Sequence, residues 1–169
     1  MTTTTYLLAL GSNRRGRHGG PRAEVGAAAA ALGPALGAVR AVSPVVESAA
    51  VGPSIRRFAN AVAVVDSDLD PPAVLAAVKR IERDFGRRRG RRWGARVIDL
   101  DLIGWSDGRW RSAGLIVPHP AFRERSFVLE PLVGVAPDWR DPVTGLTARQ
   151  LHARLTRPRL TGAGRVPRR

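Results

Sequence analysis

The chain has 169 residues, of which 44% are hydrophobic, so we expect one domain with a substantial buried core. It contains no cysteine, which excludes disulfide bonds and thiolate metal sites. The formal net charge is +14, and 27 of the 28 basic residues are arginine, which suits a polyanionic ligand such as nucleic acid or a nucleotide phosphate. No apolar run approaches the roughly 18 residues of a membrane span, and the N-terminus lacks the charged start of a signal peptide, so we expect a cytoplasmic protein.

Hydrophobic periodicity predicts strands and helices in alternation along the first hundred or so residues. A short apolar run ended by Gly11 is typical of a strand, and the Ala-rich segment after Pro21 is predicted to be a helix that stops at Gly33-Pro34. Pro44 favours an edge position or a bulge for the second strand. The predicted elements are a strand at 6–10, a helix at 22–32, strands at 39–46 and 58–65, a helix at 72–85 and a strand at 97–103.

Shorter elements are predicted in the remaining third of the chain. Trp110 and residues 115–117 indicate brief strands, residues 127–135 are predicted to be helical at least in part, and 146–155 a short helix. The sequence has no internal repeat and no linker, so residues 1–156 are expected to form a single domain. The Arg-, Pro- and Gly-rich tail, residues 157–169, is expected to be disordered.

The order strand, helix, strand, strand, helix, strand determines the predicted fold class. It matches a split βαβ, or ferredoxin-like, α+β sandwich, in which helices pack on one face of a mainly antiparallel sheet. Because this fold hosts many functions, the functional assignment must come from the residues of the site.

Asp99 and Asp101 lie two residues apart in an otherwise apolar predicted strand. Residues i and i+2 point to the same face, so Ile98, Leu100 and Leu102 are expected on one face and both carboxylates on the other. A solvent-exposed face or salt bridges to arginine would explain an arbitrary Asp-x-Asp pattern. The apolar setting also suits Mg²⁺, which takes one or two carboxylates together with substrate phosphates and would cancel the repulsion between the acids.

An arginine-rich segment leads directly into this strand. Residues 86–96 contain six arginines and Trp93, and the glycines at 86, 90 and 94 would allow the segment to close as a lid. Phosphoryl transfer needs positive charge around the moving group, although each arginine taken singly is more simply explained as surface charge. The six arginines are Arg87, Arg88, Arg89, Arg91, Arg92 and Arg96.

Five short sequence motifs are distributed along the chain. The most specific is residues 92–103, Arg-Trp-Gly-Ala-Arg-Val-Ile-Asp-Leu-Asp-Leu-Ile. The others are Leu-Gly-Ser-Asn at 10–13, Phe-Ala-Asn-Ala-Val-Ala at 58–63, Val-Pro-His-Pro at 117–120 and Arg-Ser-Phe-Val-Leu-Glu-Pro-Leu at 125–132. Together they resemble the 6-hydroxymethyl-7,8-dihydropterin pyrophosphokinase family of folate biosynthesis, and the resemblance covers roughly residues 6 to 140.

The resemblance implies a reaction in which ATP gives its β,γ-pyrophosphoryl unit to the pterin hydroxymethyl oxygen, leaving AMP and the pterin pyrophosphate. It implies that Asp99 and Asp101 bind two Mg²⁺ ions and that Arg87 and Arg96 are catalytic. The nucleotide contacts that it implies are Arg92, Arg125, either Arg88 or Arg89, the side chain of His119, and backbone groups at Leu102 and Ile116.

The resemblance also implies a flat slot for the pterin. Phe58 and Phe127 would sandwich the ring, and Asn60, on the same strand face as Phe58, would hydrogen-bond its pyrimidine edge. Without the resemblance, both aromatic residues would be assigned to core packing. The other implied contacts are Gly11, where the backbone approaches closely, residues 48–51 including Ser48, Ala49 and Val51, and Trp93 as a cover.

Two other interpretations remain open. An RNA-binding module would use the positive charge and the sheet, although the chain lacks the Arg/Lys-Gly-Phe-Gly-Phe-type motif and its paired acids would repel phosphate without metal. The second open interpretation is a pyrophosphokinase-like domain that has lost its activity. The preferred prediction is a monomeric Mg²⁺- and ATP-dependent pyrophosphokinase whose partners are ATP and 6-hydroxymethyl-7,8-dihydropterin, not nucleic acid or a membrane.

Overall fold

The computed structural model describes residues 2–48, 57–86 and 97–158, so most of the predicted tail lies outside it. Within these segments the chain forms seven strands, four helices and a 3-10 turn at Phe122–Glu124, and no helix is long and apolar enough to cross a membrane. The strands are β1 (Thr4–Ser12), β2 (Ala38–Val42), β3 (Val46–Ser48), β4 (Phe58–Ser67), β5 (Asp99–Trp105), β6 (Trp110–Ser112) and β7 (Leu115–Val117). The helices are α1 (Pro21–Leu36), α2 (Pro71–Asp84), α3 (Ser126–Val135) and α4 (Ala148–Thr156).

Five strands form one antiparallel sheet. Its order is β2-β4-β1-β5, and β3 pairs with β4 beyond the end of β2. β1 and β2 are joined by α1 and run parallel to each other, with β4 inserted between them. This is the split βαβ arrangement, so the predicted ferredoxin-like α+β fold is confirmed. The two brief strands, β6 and β7, pair as a separate hairpin.

The second predicted strand is interrupted at Pro44 and forms two strands, β2 and β3. Proline has no backbone N–H and cannot continue a ladder, which explains the break. Ser43 bridges it, since its N–H donates to Val62 O at 2.9 Å and its Oγ accepts from Val62 N at 3.0 Å. The break leaves β3 paired with residues 58–60 at the start of β4.

The predicted end of the first helix is wrong. α1 continues through Gly33 and Pro34 to Leu36 and is capped by Gly37, whose φ is 136° and whose N–H donates to Gly33 O at 3.0 Å. Pro34 removes one hydrogen bond near the end of the helix, whereas the extra turn buries Leu36 in the core. A Cβ at residue 37 would lie 2.4 Å from Asp66 O, so glycine is required there.

Helices cover both faces of the sheet, because successive strand residues point to opposite sides. The expectation that helices pack on one face holds for α1 and α2, which cover the first face, whereas α3 and α4 pack on the second. The first-face core includes Leu8, Leu10, Leu32, Val78, Leu100 and Leu102, and the second-face core includes Leu7, Val62, Ile103, Leu129, Leu132 and Leu151.

Asp141 organises the turn between α3 and α4. Its buried carboxylate accepts hydrogen bonds from Arg123 at 2.7 and 2.6 Å, from Val143 N at 3.1 Å and from Thr144 Oγ1 at 2.6 Å. Burial acts to raise the pKa of this carboxyl, but the hydrogen bonds from Arg123, Thr144 and Val143, with the guanidinium charge, outweigh burial and lower the pKa.

Asp141→Ala is expected to lower the free energy of unfolding at pH 7 by about 3 kcal/mol, because it leaves the Arg123 guanidinium without its partner. Since the folded-state pKa is lowered, the Asp141 contribution is present above the unfolded-state pKa of about 4 and is lost as the pH falls through the folded-state value. Urea denaturation at pH 7 and at about pH 3 measures the difference from wild type, which should shrink at the lower pH.

The matched control for this prediction is Asp138→Ala. It removes an exposed carboxylate that lies 3.8 Å from Arg149 Nη2, and such surface pairs contribute about 1 kcal/mol or less. A loss of stability in Asp141→Ala no larger than in this control, or one that is the same at both pH values, would contradict the assignment.

Candidate active site

A polar row crosses the second face of the sheet at the end of β1. Gly11 pairs with Asn60 of β4 on one side and with Asp99 of β5 on the other, and Val46 of β3 pairs with Asn60. Directly paired residues of antiparallel strands point to the same face, so the amide and the carboxylate flank the glycine. A Cβ at residue 11 would lie 3.2 Å from Asn60 Oδ1, so glycine leaves the surface between these two side chains open.

Asp99 and Asp101 lie side by side on this face. Asp101 pairs with Ala9, two residues along β1 from Gly11. Both acids are half-buried, whereas Leu100 and Leu102 are buried in the first-face core, which confirms the predicted alternation. Among the described residues no group of three or more His, Cys, Asp or Glu is placed to hold a metal, so this part of the chain contributes a pair of carboxylates rather than a full ligand set.

The N-terminus of α3 brings a cation and an aromatic ring to the acids. The Nη1 atom of Arg125 lies 3.5 Å from Asp101 Oδ2, with the two side chains 37% and 31% exposed. The Arg125 Cζ atom lies 5.9 Å from the centre of the Phe127 ring, and Phe127 packs against the second-face core. Phe58, half-buried at the start of β4, precedes Asn60 by two residues and so shares its face. These sequence-predicted residues therefore lie around one region of the sheet.

The three remaining predicted nucleotide contacts in the described segments come from β5 and the segment after it. His119 is half-buried, its N–H donates to Ile103 O at 2.9 Å, and its Nδ1 accepts from Ala121 N at 3.2 Å, which leaves Nε2 as the ring nitrogen for a ligand. Ile116 is 41% exposed on β7, beside β5. The Leu102 side chain is buried in the first-face core, so only the backbone of this residue is available to a ligand.

Several predicted site residues lie outside the described segments. For Ser48 only the backbone is described, as the β3 partner of Phe58. The residues outside are the substrate contacts Ala49, Val51 and Trp93, the catalytic candidates Arg87 and Arg96, and the nucleotide candidates Arg88, Arg89 and Arg92.

The sequence did not predict a contact between α2 and the acidic strand. The Glu82 side chain is fully buried, and its Oε1 accepts from Leu100 N at 2.8 Å and from Lys79 Nζ at 2.9 Å. The spacing of Lys79 and Glu82 at i and i+3 identifies a helical ion pair, but nothing local indicates that this pair faces the backbone between Asp99 and Asp101.

Comparison with curated proteins identifies relatives along most of the chain. A protein of Synechocystis sp. named 2-amino-4-hydroxy-6-hydroxymethyldihydropteridine pyrophosphokinase is 43% identical over 104 residues, which cover 62% of this chain and 53% of the relative. A protein of the same name from Pseudomonas aeruginosa is 43% identical over 103 residues, covering 60% and 64%. The matches thus span only between half and two thirds of these relatives.

Solved structures agree on the fold. A crystal structure of Plasmodium falciparum HPPK-DHPS superposes with a TM-score of 0.70 at 16% identity, covering 90% of this chain and 41% of that one. At this identity the likeness establishes only the shared fold. The family described as 7,8-dihydro-6-hydroxymethylpterin-pyrophosphokinase (HPPK) matches residues 7–137. With the match extending over most of the chain and across every element that borders the candidate site, this protein belongs to the HPPK family.

Proposed function

We propose that this protein transfers the pyrophosphoryl unit of ATP to 6-hydroxymethyl-7,8-dihydropterin in folate biosynthesis, as a cytoplasmic, monomeric and Mg²⁺-dependent enzyme. The observation that carries the proposal is the row of Asn60, Gly11 and Asp99 across three strands, with Asp101 and Arg125 beside it, in a member of the HPPK family. The row places a group able to bind a heterocycle next to a pair of acids.

The pterin is proposed to lie over Gly11. The Asn60 amide offers donors and an acceptor for the pyrimidine edge, and Phe58 and Phe127 would supply the aromatic faces. Because Asp99 pairs with Gly11 on the side opposite Asn60, a ring held at its edge by the amide extends toward the acids. The hydroxymethyl group then lies at the acidic end of the row, where the nucleotide must deliver its phosphates.

The acid pair fits a hard divalent cation. Asp99 and Asp101 are half-buried, and in the described segments no third His, Cys, Asp or Glu joins them in a metal-binding group. Mg²⁺ commonly binds through one or two carboxylates, while water and substrate phosphates complete its coordination shell. When bound, Mg²⁺ neutralises phosphate charge and polarises the attacking oxygen. Two ions are proposed from the resemblance to the family.

Arginines are proposed to bind and neutralise the triphosphate. The position of Arg125 beside Asp101 supports this role, as does the His119 ring in the segment after β7, whose Nδ1 accepts from Ala121 N and leaves Nε2 for a phosphate. From the sequence, Arg87 and Arg96 are proposed to stabilise charge that develops during transfer, and Arg92 with either Arg88 or Arg89 to bind ATP. Leu102 and Ile116 are proposed to contact adenine through their backbone.

Arg125→Ala is expected to have opposite effects on two ligands. Without nucleotide, the Arg125 guanidinium competes with a cation for Asp101, and because exposed pairs contribute about 1 kcal/mol or less, removing it should tighten Mn²⁺ binding by up to about fivefold. The variant should bind a non-hydrolysable ATP analogue about 10-fold or more weakly, because a charge-assisted hydrogen bond to phosphate is lost. Isothermal titration calorimetry measures both affinities.

Arg149→Ala is the control for this experiment. Arg149, in the first turn of α4, forms a more exposed pair with Asp138 and has no proposed ligand contact, so neither affinity should change. If Arg125→Ala weakened Mn²⁺ binding without nucleotide, or left analogue binding unchanged, the proposal would be wrong that Arg125 pairs with Asp101 in the free protein and with phosphate in the complex.

The proposed function is tested by product analysis. The protein is incubated with ATP, Mg²⁺ and 6-hydroxymethyl-7,8-dihydropterin, and the nucleotides are separated. AMP formed one-for-one with pterin pyrophosphate is the expected result. ADP as the product would contradict pyrophosphoryl transfer, and folded protein that binds ATP but forms no AMP would indicate an inactive domain. Salt-sensitive RNA binding without turnover would favour the RNA-binding interpretation.

The described segments also support the proposed domain organisation. The two apolar clusters lie on opposite faces of one sheet and share its strands, so both helical layers belong to one packed unit. We therefore propose that residues 1–156 are one domain, followed by the basic tail at 157–169.

A further inference from the structure

Helix α2 contacts the outer edge of β5 through an ion pair whose carboxylate is buried. Glu82 is 0% exposed, and its Oε1 accepts the Leu100 N–H at 2.8 Å. The Lys79 ammonium, 32% exposed, donates to the same oxygen at 2.9 Å and lies 3.5 Å from Leu100 O. The pair therefore engages both backbone polar groups of Leu100, the residue between Asp99 and Asp101.

This contact holds the acidic strand from its outer side. In an antiparallel pair, residues alternate between exchanging backbone hydrogen bonds with the partner strand and pointing away from it. Because the Leu100 N–H points to Glu82, the backbone groups of Asp99 and Asp101 are those directed at Gly11 and Ala9 of β1. The peptides that carry the two acids are thus held by β1 on one side and by α2 on the other.

The Lys79–Glu82 pair is more than is needed to protect an exposed sheet edge from pairing with another strand. A single lysine side chain is enough to discourage edge-to-edge pairing, whereas a fully buried carboxylate costs desolvation energy that only good partners offset. The lysine is also distinctive, since it is the only one among 28 basic residues. A compact ammonium with three donors can approach a carboxylate and a carbonyl together, whereas a planar guanidinium has a different reach and geometry.

We propose that Lys79 and Glu82 are positioning residues that set the separation and orientation of the Asp99 and Asp101 carboxylates through the backbone of Leu100. The proposal rests on the proposed function, because it assigns a purpose to the spacing of two acids that bind divalent cation. Mg²⁺ requires near-ideal ligand geometry, so a small shift of the strand at Leu100 changes cation affinity while leaving the acids themselves in place. Groups that orient metal ligands typically affect metal affinity by 10–100-fold.

The test uses the full chain with two readouts that do not depend on turnover. Mn²⁺ binding is followed by electron paramagnetic resonance in the presence of a non-hydrolysable ATP analogue, and amide hydrogen exchange of Leu100 is followed by NMR at matched global stability. Lys79→Met and Glu82→Ala are expected to weaken Mn²⁺ binding about 10-fold or more and to speed Leu100 exchange. Glu82→Gln retains the acceptor and should stay within a few-fold of wild type.

Two further variants keep the test interpretable. Lys79→Arg retains a positive partner for Glu82, so it remains folded if Lys79→Met does not, and it should weaken Mn²⁺ binding several-fold through altered geometry. Glu24→Ala is the matched control: the Glu24 side chain is also 0% exposed and lies on α1, but its partners are His18 N at 2.7 Å and His18 Nδ1 at 2.8 Å. It should lower stability without changing Mn²⁺ affinity.

Loss of the positioning role and loss of the cation site give different results. If Asp101→Asn weakens Mn²⁺ binding but Lys79→Met, Lys79→Arg and Glu82→Ala all retain wild-type affinity, the positioning role is overturned and the cation site stands. If Glu24→Ala weakens Mn²⁺ binding as much as Glu82→Ala, the effect is general destabilisation and the positioning role is again overturned. If Asp101→Asn itself leaves Mn²⁺ binding unchanged, the cation site of the proposed function fails, and positioning fails with it.

Discussion

Asp99→Asn and Asp101→Asn are each expected to reduce kcat by about three orders of magnitude or more while leaving the fold intact. A bound metal contributes several kcal/mol of charge stabilisation, and each 1.36 kcal/mol corresponds to about tenfold in rate. Asparagine retains the size of the side chain but removes the charge that a divalent cation needs. Because both side chains are half-buried and lie outside the second-face apolar core, we expect neither substitution to disturb that core.

The measurement is single-turnover AMP formation at saturating ATP and pterin, together with the thermal unfolding midpoint. Asp107→Asn is the matched control, because Asp107 follows the other end of β5, where its carboxylate accepts a hydrogen bond from the neighbouring Ser106 hydroxyl at 2.8 Å. It should retain wild-type turnover. Full activity in either Asp99→Asn or Asp101→Asn would show that the acid pair has no role in metal-dependent transfer.

Asn60→Ala is expected to raise the pterin dissociation constant about 10- to 100-fold without changing affinity for an ATP analogue. Asn60 is a buried polar residue, 6% exposed, at the row that ends in Asp99. Neutral hydrogen bonds contribute about 1 kcal/mol each, and an amide that contacts a heterocycle edge makes two or three. Their loss should therefore raise the pterin dissociation constant about 10- to 100-fold.

Gly11→Ala tests the same slot from the neighbouring strand. Its Cβ would lie 3.2 Å from Asn60 Oδ1, so the amide must shift, and pterin affinity should fall by a smaller factor than in Asn60→Ala. Ser67→Ala is the control for losing a buried polar group of β4, since Ser67 is 3% exposed at the opposite end of the strand and donates to Leu36 O. Calorimetric titration distinguishes the outcomes, and equal losses of pterin and nucleotide affinity in Asn60→Ala would contradict the assignment.

Local patterns in the sequence predicted much of the secondary structure. The apolar stripe of Val74, Val78 and Ile81 identified α2, and Asp70 caps it by accepting from Ala73 N at 2.9 Å. Pro44 predicted an edge position or a bulge in a single strand, whereas the chain breaks there into β2 and β3 because proline lacks the N–H that continues a ladder. The same reasoning failed at Gly33-Pro34, where burial of Leu36 on the first face outweighed the local cost of proline.

The sequence by itself determined the family motifs and the fact that Asp99 and Asp101 share a face, since a period of two is a property of any strand. Only the tertiary structure decided what lies next to them. Gly11 is placed between Asn60 and Asp99 by the register of three strands that are distant in the chain, and no local preference sets that register. The contacts of Arg125 with Asp101 and of Glu82 with Leu100 depend likewise on how α3 and α2 pack against the sheet. Packing depends on the complementarity of whole surfaces, which is why these contacts could not be predicted from the residues that make them.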